Sequence, residues 1–239
     1  MPAPLQSGSG SDQDALFDVE QFRILPARRA VVRALGRPTV VLGSTQRFEV
    51  VSGQQAAAAG VEIVRRRGGG GAVLLQPGDH LWVEAWIPRD DPIWEADVVA
   101  AARWAGAWWR DALAQLGAGD CIVHQGPSEP GPQGALVCFS GRGPGEVFQG
   151  GRKVMGLSQW RSREGSLFHT CAYACWDPGP LTHLLDLDPS TRQALVRDLA
   201  RSAVGLDDLD ISGAPIAALG EVLLSSFSTW GEDRQDSPT

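Results

Sequence analysis

Lys153 is the only lysine of the chain, whose other 20 basic side chains apart from histidine are arginines and which contains no asparagine. An ammonium is a compact point charge and a guanidinium is a planar fork, so a lone lysine among arginines marks a place where a guanidinium would not serve. It lies in Gly-Gly-Arg-Lys-Val-Met-Gly-Leu-Ser-Gln, residues 150–159, with glycine on both sides. A second stretch runs from Arg65 to Leu75: three arginines, four glycines, then an apolar run. Four glycines weaken a strand and exceed what a hairpin turn needs. Bare main chain beside fixed positive charge suits an anionic ligand, whose oxygens can be met by backbone N–H groups. The stretch is neither the usual phosphate loop, since no Gly-Lys-Ser/Thr follows, nor the dinucleotide fingerprint, since a strand pattern rather than a helix follows. A third candidate is Cys138, 15 residues before Lys153. Its thiolate could serve as a nucleophile, favoured by the charge of a nearby lysine. The competing reading is a small hydrophobe packed in a strand.

The elements that must carry these groups follow from hydrophobic periodicity. Alternating or short apolar runs predict strands at residues 39–43, 61–66, 72–76, 81–88, 134–140, 145–149, 152–161 and 166–176. Residues 46–60 predict a short helix closed by Gly60. Trp94, Val98, Ala101, Ala105, Trp108 and Ala112 recur at helical spacing, which predicts a helix over 94–116 with its tryptophans in the core. Two further helices are predicted over 188–205 and 214–227. The fold class is therefore α+β: a mixed β-sheet with helices on one face, plus a small C-terminal helical element. Residues 1–14 and 231–239 read as disordered tails around one domain over 15–230.

Composition narrows the function classes. A net charge of −7 argues against nucleic acid as partner, and no run of 18 apolar residues could form a membrane span. The N-terminus lacks the basic start and apolar core of a signal peptide, and four cysteines without a CxxC pair fit reduced thiols and a cytoplasmic protein. Glu62, Glu84, Glu146 and Asp79 show no metal-ligand spacing, so no protein-held metal is expected. His169 sits mid-strand and reads as a core or supporting histidine. Arg28, Arg29, Arg33 and Arg37 read as a solvated face or as a dock for an acidic carrier.

Taken together, Arg-Arg-Arg-Gly-Gly-Gly-Gly-Ala-Val and Gly-Arg-Lys-Val-Met-Gly-Leu-Ser-Gln resemble the two signature motifs of the biotin/lipoate protein ligase and octanoyltransferase superfamily, most closely its lipoate-protein ligase A-like members. The resemblance implies that superfamily's catalytic-domain fold, with residues 40–46 as its early strand and 166–171 as its later, histidine-bearing strand. It implies a lipoate-protein ligase-like enzyme that attaches lipoate or octanoate to a lysine of a carrier, either a lipoyl carrier domain or a glycine-cleavage H-like protein, through an acyl-adenylate made from ATP with Mg2+. It assigns Arg66, Gly69, Gly70, Gly71, Ala72, Val73 and Leu74 to the nucleotide and acyl site, and Lys153 to both phosphate and acyl carbonyl.

The chain departs from that pattern at Leu75 and Gln76, where many members have histidine and aspartate, and at Thr170, where glycine is usual. The Asn-Asp pair of ATP-using members is absent. Cys138 followed by Glu146 and Lys153 resembles the branch that transfers octanoyl or lipoyl groups through a cysteine thioester without ATP. Three readings stay open: an adenylate-forming ligase, a transferase using Cys138, and a non-catalytic ligand binder of the same fold.

Overall fold

In a computed structural model of the chain, residues 19–133, 136–211 and 213–230 are described. The tails expected at 1–14 and 231–239 lie outside them. Among the described residues, nine strands form two sheets. Six of them, β1 (Arg29–Arg33), β5 (His80–Pro88), β9 (Gly165–Tyr173), β8 (Arg152–Arg161), β7 (Val147–Gln149) and β6 (Ile122–Val123), lie side by side in that order, every pair antiparallel. The other three make a small mixed sheet, in which β2 (Thr39–Leu42) runs parallel to β3 (Glu62–Arg65) and antiparallel to β4 (Val73–Leu75).

The two nine-residue strands β5 and β9 are buried along their whole length, so both faces of the large sheet must be covered. One face carries α3 (Val98–Gln115) and α6 (Pro215–Phe227), with Trp108, Trp109, Leu113, Phe168, Leu219 and Leu223 in a shared core. The other face carries the small sheet with α4 (Gly179–Leu184) and α5 (Pro189–Ser202). The short helices α1 (Glu20–Arg23) and α2 (Gly53–Ala58) complete the described α-helices. Helices thus flank both faces, because a second sheet with its own helices occupies the side that the periodicity left uncovered. The C-terminal helix packs into the main core.

Local chemistry explains the element ends. The carboxylate of Asp97 accepts hydrogen bonds from Val99 and Ala100 N–H, which starts α3 at Val98 and leaves Trp94 in the preceding turn. Asp188 caps α5 in the same way, with Pro189 at its first position. The strand expected over 134–140 is not formed in the described residues of that segment. Residues Cys138–Ser140 form a 3-10 turn, and Val137 makes one bridge to Ala72. This segment crosses the start of β4, where Ala72 N–H donates to Leu136 and Cys138 N–H donates to Ala72, so its backbone is paired with the glycine loop and not with a sheet edge.

Candidate active site

The glycine run bridges β3 and β4, and Arg66 fixes its shape. Arg66 is almost fully buried. Its guanidinium donates to Ser158 Oγ at 3.2 Å and to the carbonyls of Val41 at 3.1 Å, Gly69 at 2.7 Å and Gly71 at 2.9 Å. The side chain expected to hold a nucleotide is here committed to the loop's own carbonyls and to β8. A Cβ on Gly68 would fall 2.0 Å from Ser158 Oγ, and one on Gly71 would fall 2.5 Å from the Val137 backbone. Gly70 has φ +95°, a conformation that side chains disfavour. Gly69 alone has no neighbouring atom within 4 Å of where a Cβ would stand. Three glycines therefore let the loop pack against the chain, and the fourth leaves its outer side open. Ala72, Val73 and Leu74 are buried where β4 begins, in the core between the sheets.

Beside this loop opens a cleft of about 600 Å3. Gly69, Gly70, Gly71, Cys138, Glu146 and Lys153 all line it. Lys153 is 1% exposed. Its ammonium donates to the Cys138 carbonyl at 2.7 Å and pairs with Glu146 Oε2 at 2.7 Å, with the rings of Phe139 and Phe148 centred 5.5 and 5.9 Å away. Glu146 accepts from Gly143 N–H at 2.6 Å and Leu157 N–H at 3.5 Å. Burial pushes its carboxyl up, and the Lys153 ammonium opposes that shift. The Cys138 thiol is also pushed up by burial, against the pull of Lys153. At neutral pH it rests as the thiol, the less nucleophilic form.

The sequence points to Glu146 but not to its pairing with Lys153, which depends on a bulge between Val147 and Phe148 that offsets β7 against β8. Gln159 also lines the cleft, and neither polar atom of its side-chain amide has a hydrogen-bond partner. A buried amide without partners is costly unless something else meets it. Among the described residues no group of three or more His, Cys, Asp and Glu side chains could hold a metal ion.

His169 lies outside this cleft. It faces Glu84 across the β5–β9 pair, Nε2 to Oε1 at 3.6 Å, and sits opposite Ser158 across the β8–β9 pair. Arg33 closes the row by donating to Glu84 at 2.7 Å. Burial pushes the Glu84 carboxyl up to about 7 and the His169 imidazole down to about 3, so the histidine is neutral at physiological pH. The arginines expected to form a solvated face are thus largely paired: Arg28 with Asp91, Arg33 with Glu84 and Arg37 with Glu62.

Comparison with known proteins adds the family. The model of the lipoyl protein ligase A/B catalytic domain matches residues 27–228. No curated protein sequence matches the chain. Among solved structures, the bi-partite lipoate protein ligase of Thermoplasma acidophilum, described with its E2 lipoyl domain, superimposes with a TM-score of 0.70 at 18% identity, covering 93% of this chain and 80% of that one. A lipoate-protein ligase A bound with ATP gives 0.64 at 22% identity, over 90% of this chain and 76% of that one. LipL1 of P. falciparum, in complex with lipoate, gives 0.61 at 11% identity, over 96% and 59%. At these identities the likeness is one of fold.

Proposed function

Because the chain belongs to the lipoyl protein ligase A/B catalytic-domain family, we propose that it attaches lipoate or octanoate to a lysine of a lipoyl carrier domain or H-like protein, through an acyl-adenylate made from ATP. The observation that carries this reading is a single buried ammonium, Lys153, on the floor of an open cleft walled by the glycine loop. Acyl transfer develops negative charge on a carbonyl oxygen. A fixed cation in a largely water-excluded site stabilises that charge without reorganising. Gly69 leaves main chain open to a phosphate, Arg66 holds that main chain in shape, and Gln159 offers an unused donor and acceptor to the ligand. The solved structures bound with ATP and with lipoate support the same pair of ligands for this fold.

A second reading is favoured by one observation. Cys138 lines the same cleft as Lys153, and the ammonium pulls its thiol pKa down against burial. In that reading the thiol takes an acyl group from a thioester donor and passes it to the carrier amine, without ATP. The raised thiol ranks it second. Mass spectrometry of a lipoyl domain incubated with octanoate and ATP, or with an octanoyl thioester, separates the two. The ligase reading expects an octanoylated domain with octanoate and ATP, and a Cys138→Ser variant that keeps this activity. Loss of activity in that variant, with an acyl mass on Cys138 of the wild type in the absence of ATP, would overturn it in favour of the thioester route.

A further inference from the structure

Lys153 is not a free cation. Glu146 and Lys153 are both buried, at 4% and 1% exposure, and their charges cancel at 2.7 Å. Glu146 is itself anchored: Gly143 N–H reaches Oε2, and Leu157 N–H reaches Oε1. The lysine's remaining bond goes to the Cys138 carbonyl, so two of the three ammonium hydrogens are engaged. Arg66, the other buried cation beside the loop, is spent on carbonyls and on Ser158. An anionic oxygen approaching Lys153 therefore meets a carboxylate already in place.

From this geometry we infer that Glu146 is a positioning residue for the reaction: it holds the Lys153 ammonium ready on the cleft floor and yields it to the oxygen of the acyl group, competing with anionic ligands and not with neutral ones. The inference rests on the acyl-transfer reading above. It gives Glu146 two effects of opposite sign. The carboxylate fixes where the ammonium points, which favours the transfer step. It also repels a carboxylate or phosphate at the same position, which weakens their binding. A residue that merely filled space would change the binding of charged and uncharged acyl chains alike.

The test uses octanoate and its uncharged isostere octanamide, because both routes require an acyl carbonyl beside Lys153 whether or not ATP takes part. Calorimetry of wild type and Glu146→Gln should show octanoate bound roughly tenfold more tightly in the variant and octanamide unchanged, while turnover in the carrier assay falls. Glu146→Asp should restore the wild-type ratio of the two affinities. An unchanged ratio in Glu146→Gln refutes the inference and leaves the acyl-transfer reading standing. Wild type binding neither probe refutes that reading and the inference with it. Should Glu146→Gln fail to fold, the wild type decides. Labelling with [15N]lysine gives one side-chain resonance, since Lys153 is the only lysine. Octanoate is expected to shift it as the pair opens, and octanamide to shift it much less; equal shifts overturn the inference.

Discussion

Lys153 meets Glu146 at 2.7 Å, and Arg33 meets Glu84 at the same 2.7 Å. Both carboxylates are buried, and burial pushes both upward. Their surroundings separate them. The first pair borders a cleft together with bare glycine main chain and an unpartnered amide. The second joins the edge strand β1 to β5, where Trp82 and Trp86 flank Glu84 and neutral His169 faces it from β9. Pairing alone identifies no site, since a fold can use a buried carboxylate to tie down an edge strand. The cleft distinguishes them, together with the choice of an ammonium in one pair and a guanidinium in the other.

The interior row should reveal itself through the pH dependence of stability. The Glu84 carboxyl lies at about 7 in the folded chain against an ordinary 4.5. Its contribution is therefore fully present below 4.5 and lost as pH rises through 7. His169, pushed from 6.5 to about 3, acts the other way: its contribution is present above 6.5 and lost as pH falls towards 3. Between 4.5 and 6.5 the two oppose each other in the wild type, so single variants are needed to see them. Denaturant titrations are expected to show the wild type losing up to about 3 kcal/mol relative to Glu84→Gln from pH 4.5 to 7.5. His169→Gln should escape a loss of similar size on the acid side. Parallel curves for wild type and both variants would show that this row does not titrate as its burial requires.

A smaller effect is expected at the loop between the two regions. Arg66→Lys keeps the charge and cannot reach four acceptors with one ammonium. It should destabilise the chain by about 2 kcal/mol in denaturant unfolding and weaken acyl-ligand binding, because Gly69 and Gly71 lose their clamp. If stability stays at the wild-type level, Arg66 does not staple the loop. Smaller still is Gln159→Leu. Its amide has no partner to lose and its burial is costly, so stability should hold or rise slightly while KM rises severalfold. A clear loss of stability with unchanged KM would make Gln159 a part of the fold and not of the site.

What was legible in the sequence follows the same division. Strands β3 and β4 around the glycines, the long strands β5, β8 and β9 and the tryptophan-rich helix α3 all announce themselves, because each buries a periodic apolar face. Lys153 stood out as the sole lysine. Strand β1 did not, since its Arg-Ala-Val-Val-Arg pattern reads as a solvated face until Glu84 is known to lie across from it. The strand expected around Cys138 became a turn because its backbone pairs with Ala72 of the loop, a partner distant in sequence. The pairing of Glu146 with Lys153 escaped notice for a similar reason: it comes from strand register and a bulge. Three of the four glycines are explained by Ser158, by Val137 and by a left-handed turn, contacts that no motif displays.

The most direct test of the account exchanges the two cations while keeping both charges. Lys153→Arg and Arg33→Lys are each combined with octanoate, ATP and a lipoyl domain, and the octanoylated domain is quantified by mass. Lys153→Arg is expected to lose a hundredfold or more in rate, the ~3–4 kcal/mol that one misplaced charge-stabilising donor costs. Arg33→Lys should transfer within about threefold of wild type and show its change in melting temperature instead. Near-wild-type transfer by Lys153→Arg would contradict the assignment of the active site to this cleft.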